Sequence, residues 1–260
     1  MAMTLFLLGR PGSGKSTAAH YLHLLSQQQG WSTIHINDYP FLRSQFEADT
    51  QQIKFKPTGY GGFDVLDFSV LDTALHAIEY EARIYSAHPR KLVLLEFARD
   101  DYIQALQQFQ CSFLRNAYFL FLNADLDTCV RRVHNRAYHP TTRNDHFISE
   151  AMLRSYYQQE YDPLLLYRLL SSYGIQEQHV RIINNTETHY KFQEQLENFL
   201  QEILARDQHS AGQSLSSYTA HPVSAIPYQQ HATSCPIHEG QILLSEVEAP
   251  TSLTDVVQYE

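Results

Sequence analysis

The sequence predicts an α/β fold, a mainly parallel sheet covered by helices on both faces, and three observations carry that expectation. Short unbroken apolar runs, such as residues 4–8 and 92–95, recur along the chain, and a run without alternation suits a strand buried on both faces. These runs alternate with segments of helical spacing, which is the pattern of parallel strands joined by helical crossovers, and right-handed crossovers narrow the topology further. The 260 residues, 43% hydrophobic and 18% charged, are enough for one sizeable core.

Residues 4–8 form the first expected strand, closed by Gly9. Residues 15–28 place Ala18, Tyr21, Leu22 and Leu25 at helical spacing, and Gly30 stops that helix. Residues 32–37 are the second strand. Residues 38–66 hold Pro40, Pro57 and a Gly59, Gly61, Gly62 cluster without clear periodicity, so a long irregular connection is expected there, of the kind that is often functional. A helix over 67–86 leads to the third strand at 91–97, a helix over 102–110 and the fourth strand at 117–123. Leu126, Cys129, Val130 and Val133 stripe the next helix, and Pro140 breaks its pattern. Helices over 147–161 and 163–173 precede a fifth strand at 179–184. The last helix turns Phe192, Leu196, Phe199, Leu200 and Ile203 to one side.

The domain is therefore expected over 1–206. Residues 207–260, rich in Ser, Gln, His, Thr and Pro, are expected to be a disordered tail. Of the net charge of −9, the tail's six acidic residues leave the body near −3. So nearly neutral a body offers no broad cationic field, and general nucleic-acid binding is not expected. No apolar run is long enough to span a membrane and no basic leader precedes the first strand, so a cytoplasmic protein without a membrane partner is expected. Cys111, Cys129 and Cys235 are too few and too far apart for a disulfide framework or a zinc site; they read as thiols, with Cys129 in the core.

Gly9-Arg10-Pro11-Gly12-Ser13-Gly14-Lys15-Ser16-Thr17 satisfies G-x-x-x-x-G-K-[ST] and lies between the first strand and the first helix. Such a loop turns backbone N–H groups onto phosphate oxygens at a helix N-terminus, with Lys15 on the terminal phosphates and the Ser16 hydroxyl on Mg²⁺. The bland alternative is an ordinary glycine turn. The Arg10 side chain either joins the phosphate site or is exposed. Glu96 ends the third strand, where a carboxylate is costly unless a metal, water or cation meets it, and it is the second candidate for Mg²⁺. Asp38 ends the second strand at the same sheet edge, either as a base for an acceptor hydroxyl or as a turn residue.

Phosphoryl transfer needs charge neutralisation more than covalent chemistry, which draws attention to arginines. Arg132 and Arg136 stand one helical turn apart on the side of their helix away from its apolar stripe, and Arg143 follows in the next loop. They form either a cationic lid or a solvated face, while Arg131 and Arg154 read as surface residues. Arg99, just past Glu96, either binds substrate or phosphate or pairs with Asp100 or Asp101.

The glycine loop, Asp38, Glu96 and the Cys129-x-x-Arg132-x-x-x-Arg136 pattern together resemble the P-loop kinase superfamily, which includes adenylate kinase, nucleoside kinases, shikimate and gluconate kinases and zeta toxins. The resemblance covers about residues 1–205. It implies a P-loop NTPase three-layer α/β/α fold whose five-stranded parallel sheet has the order 2-3-1-4-5. It also implies ATP with Mg²⁺, Arg132 lying against the adenine or the phosphates, and Asn184, Asn185 and Thr186 edging the adenine pocket. The family binds its acceptor in the connection after the second strand, which makes Arg43, Lys54, Tyr60 and Asp64 substrate-side candidates. Departures limit the transfer: Asp is commoner than Glu at position 96, the long lid of adenylate kinase is absent, and residues 39–66 look individual. The expected activity is transfer of the γ-phosphate of ATP to a small-molecule hydroxyl or phosphate acceptor. Its rival is a nucleotide-dependent regulatory protein with slow hydrolysis and a tail that binds a protein partner. A GTPase is disfavoured by the lack of D-x-x-G and N-K-x-D patterns.

Overall fold

In β1 (Met3–Leu8), Leu5 and Leu7 face one side of a sheet and Phe6 and Leu8 the other, and all four are fully buried. The same two-sided burial runs through β2 (Ser32–Asn37), β5 (Lys91–Glu96), β6 (Tyr118–Asn123) and β7 (Val180–Asn184). These strands make one parallel sheet in the order β2-β5-β1-β6-β7. Counted within this sheet alone, the strands lie 2-3-1-4-5, since β3 (Phe55–Pro57) and β4 (Phe63–Val65) pair only with each other as a small antiparallel ribbon. The computed structural model describes residues 2–139, 147–158, 163–186 and 189–216, without the side chains of 163–165 and 207–216.

Helices cover both faces. On one, α1 (Lys15–Gln28) and α9 (His189–Ser216) bring Ala18, Leu22, Phe192, Leu196, Phe199 and Ile203 against Leu5, Leu7, Leu94 and Leu120. On the other, α3 (Ser69–Ile84), α4 (Tyr102–Gln107), α5 (Cys111–Leu114) and α8 (Pro163–Ser172) pack Leu75, Ile78, Tyr102, Leu106, Leu114 and Leu170 against Phe6, Val93, Leu95 and Phe119. The result is a three-layer α/β/α arrangement with a core on each side of the sheet. Truncating a fully buried leucine such as Leu94 to Ala costs about 2–5 kcal/mol in such a setting. Among the described residues no helix is long and apolar enough to cross a membrane.

Two expectations are corrected here. Residues 38–66 are not one irregular connection: they hold α2 (Tyr39–Ala48) and the ribbon. Pro40, read as a breaker, sits in the first turn of α2, where its missing N–H costs nothing. Tyr39 and Leu42 of α2, Phe55 and Phe63 of the ribbon, and Val70, Leu71 and Ala74 of α3 form a separate small core. The expected helix over 147–161 is short: α7 (Glu150–Tyr156) starts where the Ser149 hydroxyl accepts a bond from the Met152 N–H.

The final helix also runs past the expected boundary at 206/207 as far as Ser216, since adding a residue to an established helix costs far less than nucleating one. Residues 217–260 of the expected tail lie outside the described residues. Cys129 is a buried free thiol, whereas Cys111 is disulfide-bonded, so the reading of all three cysteines as thiols does not hold.

Candidate active site

The carboxyl ends of β1, β2, β5 and β7 lie along one edge of the sheet, where open α/β folds place their ligands. Short backbone links fix their relative heights: Asp38 N–H donates to Glu96 O (3.2 Å), Phe97 N–H to Leu7 O (3.4 Å) and Asn185 N–H to Asn123 O (2.7 Å).

The loop from Gly9 to Lys15 is tightly enclosed. Gly12 and Gly14 have φ of 82° and 103°, where a side chain is strained. They also have no room for one: a Cβ at Gly12 would stand 2.5 Å from Cys129 O, and one at Gly14 2.3 Å from Asn185 Nδ2. Pro11 and Ser13 are buried, while Ser16 and Thr17 open the exposed first turn of α1. Lys15 Nζ folds back to donate to Gly9 O (2.8 Å) and Arg10 O (3.0 Å). Burial pulls the Lys15 pKa down, and only part of that is returned by Glu96 and Asp38.

Ser16 Oγ donates to Glu96 Oε1 at 2.9 Å, and His35 Nε2 meets Glu96 Oε2 at 2.9 Å. Burial alone drives the Glu96 carboxyl up. The bond and charge of His35, then Lys15 and Ser16, more than reverse it and hold the pKa at about 2. An ionised carboxylate oxygen beside a hydroxyl oxygen is a donor set that suits Mg²⁺, a hard cation held by few protein ligands. Ser16 and Glu96 would hold it.

Asp38 is paired with Arg99, whose Nη1 donates to Asp38 Oδ2 at 2.8 Å and whose Nη2 donates to Leu71 O. Burial raises the Asp38 pKa, and Arg99 and Lys15 counter only part of the rise. This fits a carboxylate whose proton affinity is tuned upward, as a general base requires. Arg99 itself is 3% exposed. It therefore positions Asp38 and has no surface for a substrate, which corrects its expected substrate contact. Asp101, one of the two partners that the alternative reading named with Asp100, instead caps α4 by accepting from Ile103 N–H and Gln104 N–H.

The other side of the loop is closed by α6 (Leu126–Tyr138), whose N-cap Asp125 accepts from the Thr128 N–H. Arg132 Nη1 donates to Gly12 O (3.3 Å) and Nη2 to Asn185 O (2.9 Å), while Asn185 Nδ2 donates to Ser13 O (2.8 Å). Both residues thus stand at the loop. Arg136 is half-buried one turn later. Arg143 lies outside the described residues.

One expected site residue is placed elsewhere, and a second is engaged along its own helix. The Arg10 side chain is buried, with Nε on Tyr157 O (2.9 Å) and Nη1 on Ala124 O (3.1 Å). It bolts the loop to the segment after α7, since the enclosed loop leaves its long side chain only an inward path. Arg43 is exposed on α2 and pairs with Glu47 at 2.8 Å, the expected outcome of an Arg and Glu four apart on a helix. Arg154 pairs with Glu150 and Asp127 at the surface.

Sequence reasoning missed His35, Tyr102 and Tyr157. Tyr102 is buried, and its hydroxyl accepts the Gly9 N–H at 2.6 Å. A histidine inside an otherwise apolar strand was a readable signal for His35; nothing in the sequence marks the two tyrosines. A separate cavity of 560 Å³, lined by Tyr167, Val180, Arg181, Glu202 and Arg206 among others, opens at the amino end of β7, opposite the edge that carries the site.

No family model matches the chain, and no curated protein does. Among solved structures it is similar to Kti12 of Chaetomium thermophilum in complex with ADP-AlF3, with a TM-score of 0.50 and 14% identity over 78% of this chain and 97% of that one. The chain has the fold of the P-loop kinases. Within this fold it is also similar to the Mycobacterium tuberculosis APS kinase CysC in complex with AMPPNP and APS (TM-score 0.45, 16% identity, 78% of this chain and 96% of that one). A third is a gluconokinase from Sinorhizobium meliloti 1021 (TM-score 0.42, 14% identity, 83% and 98%). The glycine loop, the acid at the end of β5 and Arg132 thus meet at the carboxyl edge of the sheet, where open α/β folds place their ligands.

Proposed function

We propose that the chain is an ATP-dependent phosphotransferase that moves the γ-phosphate of ATP to a hydroxyl or phosphate group of a small molecule. The observation that carries this reading is the buried Asp38–Arg99 pair at the same sheet edge as Lys15 and the Ser16–Glu96 contact. Binding and slow hydrolysis of a nucleotide need no oriented base on the acceptor side; transfer to a hydroxyl uses one.

The loop amides and Lys15 hold the phosphates, with Lys15 exchanging its two carbonyl partners for phosphate oxygens. Arg132, fixed by Gly12 O and Asn185 O, borders the nucleotide. Mg²⁺ at Ser16 and Glu96 would neutralise charge developing on the β- and γ-phosphate oxygens. Asp38 takes the acceptor's proton as the acceptor oxygen forms its bond to the γ-phosphorus, and the bond from that phosphorus to the β–γ bridging oxygen breaks to release ADP. With a phosphate acceptor no proton need be taken, and Asp38 then orients the attacking group.

The test is a transfer screen with γ-labelled ATP and Mg²⁺ against pooled nucleosides, nucleotides, sugars and hydroxy acids, following labelled product and free phosphate together. A labelled acceptor is expected in at least one pool. Nucleotide binding with only slow phosphate release across every pool would overturn the reading in favour of a nucleotide-dependent regulatory protein.

A further inference from the structure

Helix α6 crosses the site from the donor side to the acceptor side. Near its middle, Arg132 is tied to Asn185 O after β7 and to the glycine loop. At its end, the Tyr138 ring meets Tyr60, at the tip of the β3–β4 ribbon, edge-on with centroids 4.9 Å apart. Arg136 lies between these anchors, on the Arg132 face of the helix.

The cations around it are spoken for. Arg10 holds two carbonyls, Arg99 holds Asp38 and Leu71 O, and Arg132 holds Gly12 O and Asn185 O. The Nε of Arg136 is buried with no hydrogen-bond partner among the described residues, as is that of Arg99, but Arg136 differs in that no hydrogen bond or ion pair joins the rest of its guanidinium to any of them either. Its charge bears on Lys15 and on Tyr39, the residue that follows Asp38. A buried guanidinium N–H without an acceptor is costly unless an oxyanion meets it.

Resting on the phosphotransferase reading above, we propose that Arg136 binds an oxyanion of the acceptor, so that the substrate is an anionic small molecule, a carboxylate or a phosphate ester, rather than a neutral alcohol or nucleoside. Planar guanidinium suits both kinds of oxyanion through paired N–H bonds.

The experiment pairs acceptors that differ only in this group: hydroxy acids with their amides, sugar phosphates with sugars, and nucleoside monophosphates with nucleosides. Each is assayed for transfer, and each is titrated calorimetrically into protein loaded with Mg²⁺ and a non-hydrolysable ATP analogue. The anionic member of a pair is expected to be preferred by about 10- to 100-fold in kcat/KM, the worth of one charge-assisted hydrogen bond, and the productive pair tells carboxylate from phosphate. Arg136→Gln should raise KM for that acceptor by a similar factor while KM for ATP moves less than about two-fold, with Arg136→Lys in between. A neutral acceptor used equally well overturns the proposal while leaving the phosphotransferase reading intact. So does an Arg136→Gln protein of unchanged melting temperature that loses kcat with acceptor KM unaltered, which would assign Arg136 to the transferring phosphoryl group. If every pool gives free phosphate only, the phosphotransferase reading fails on that channel, and the calorimetry still decides the oxyanion: binding of anionic members that disappears in Arg136→Gln upholds it, and no binding refutes it.

Discussion

The proposed donor and acceptor sides of the site are built in different ways. The donor side is one contiguous loop, residues 9–17, whose binding groups are mostly backbone amides and whose three crowded glycines leave no room for variation. The acceptor side is assembled from side chains distant in the chain. Asp38 meets Arg99 across 61 positions, Thr58 Oγ1 donates to Phe147 O across 89, and Ser149 N–H donates to Asp64 Oδ1 across 85. A loop of backbone groups tolerates changes around it; a mosaic of side chains couples acceptor binding to packing. Substitutions on the two sides should therefore separate in kinetics.

The largest effect is expected on the donor side. Lys15→Met should lower transfer by about 10³-fold, the loss of a preorganised charge at the transferring group. Because burial already pulls the Lys15 pKa down, removing that charge should leave the melting temperature unchanged or raise it slightly. Near-normal turnover in the folded variant would show that the loop does not serve chemistry. Asp38→Asn should cost about 10²-fold in kcat, and here stability is affected too. Breaking a buried ion pair costs about 3–5 kcal/mol, and the amide oxygen of the substituted side chain, still able to accept from Arg99, should keep the loss below that. If Lys15→Met and Asp38→Asn destabilise equally, the contrast between loop and mosaic fails.

Acid dependence sharpens the comparison. In the proposed mechanism activity needs the Asp38 carboxylate, whose pKa burial raises above the ordinary 3.8, whereas Glu96 is held at about 2. As pH falls, Asp38 is protonated first, so the acid limb of kcat/KM should lie above the ordinary Asp value and belong to Asp38. Arg99 lowers that pKa by its charge and its bond, so Arg99→Gln should move the limb to higher pH. A limb that stays in place when Arg99 is replaced would assign it to another group.

The same contrast explains what was legible in the sequence. The five strands, the loop and Glu96 follow from local patterns, because apolar runs and a nine-residue motif are local properties, whereas the places of Arg132 and Asn185 came only from the family resemblance. The ribbon and α2 were hidden: three-residue strands carry almost no period, and Pro40 signals a break unless it falls in a first turn. Arg10 and Arg99 were misplaced, and the Arg43–Glu47 pair was missed, for a related reason. An arginine's spacing in sequence does not say whether its long side chain turns inward to carbonyls, along a helix to Glu47, or to a carboxylate 61 residues away.

The smallest effect tests whether the ribbon belongs to the acceptor side at all. Gly62 packs directly on the backbone before α7: a Cβ there would lie 2.0 Å from Phe147 O and 2.8 Å from Phe147 C and N. Nothing nearby can yield as a flexible side chain would, so Gly62→Ala must push the ribbon from residues 147–149, weakening the Thr58 and Asp64 bonds. Overpacking of this kind costs about 1–3 kcal/mol, and the movement falls on Tyr60 and Phe63, the latter stacked on Tyr39 beside the base. The expected result is a several-fold rise in acceptor KM, a small fall in melting temperature and an unchanged KM for ATP. A parallel rise in KM for ATP would mean that the ribbon and the glycine loop move together, and that the two sides are one mechanical unit despite their different construction.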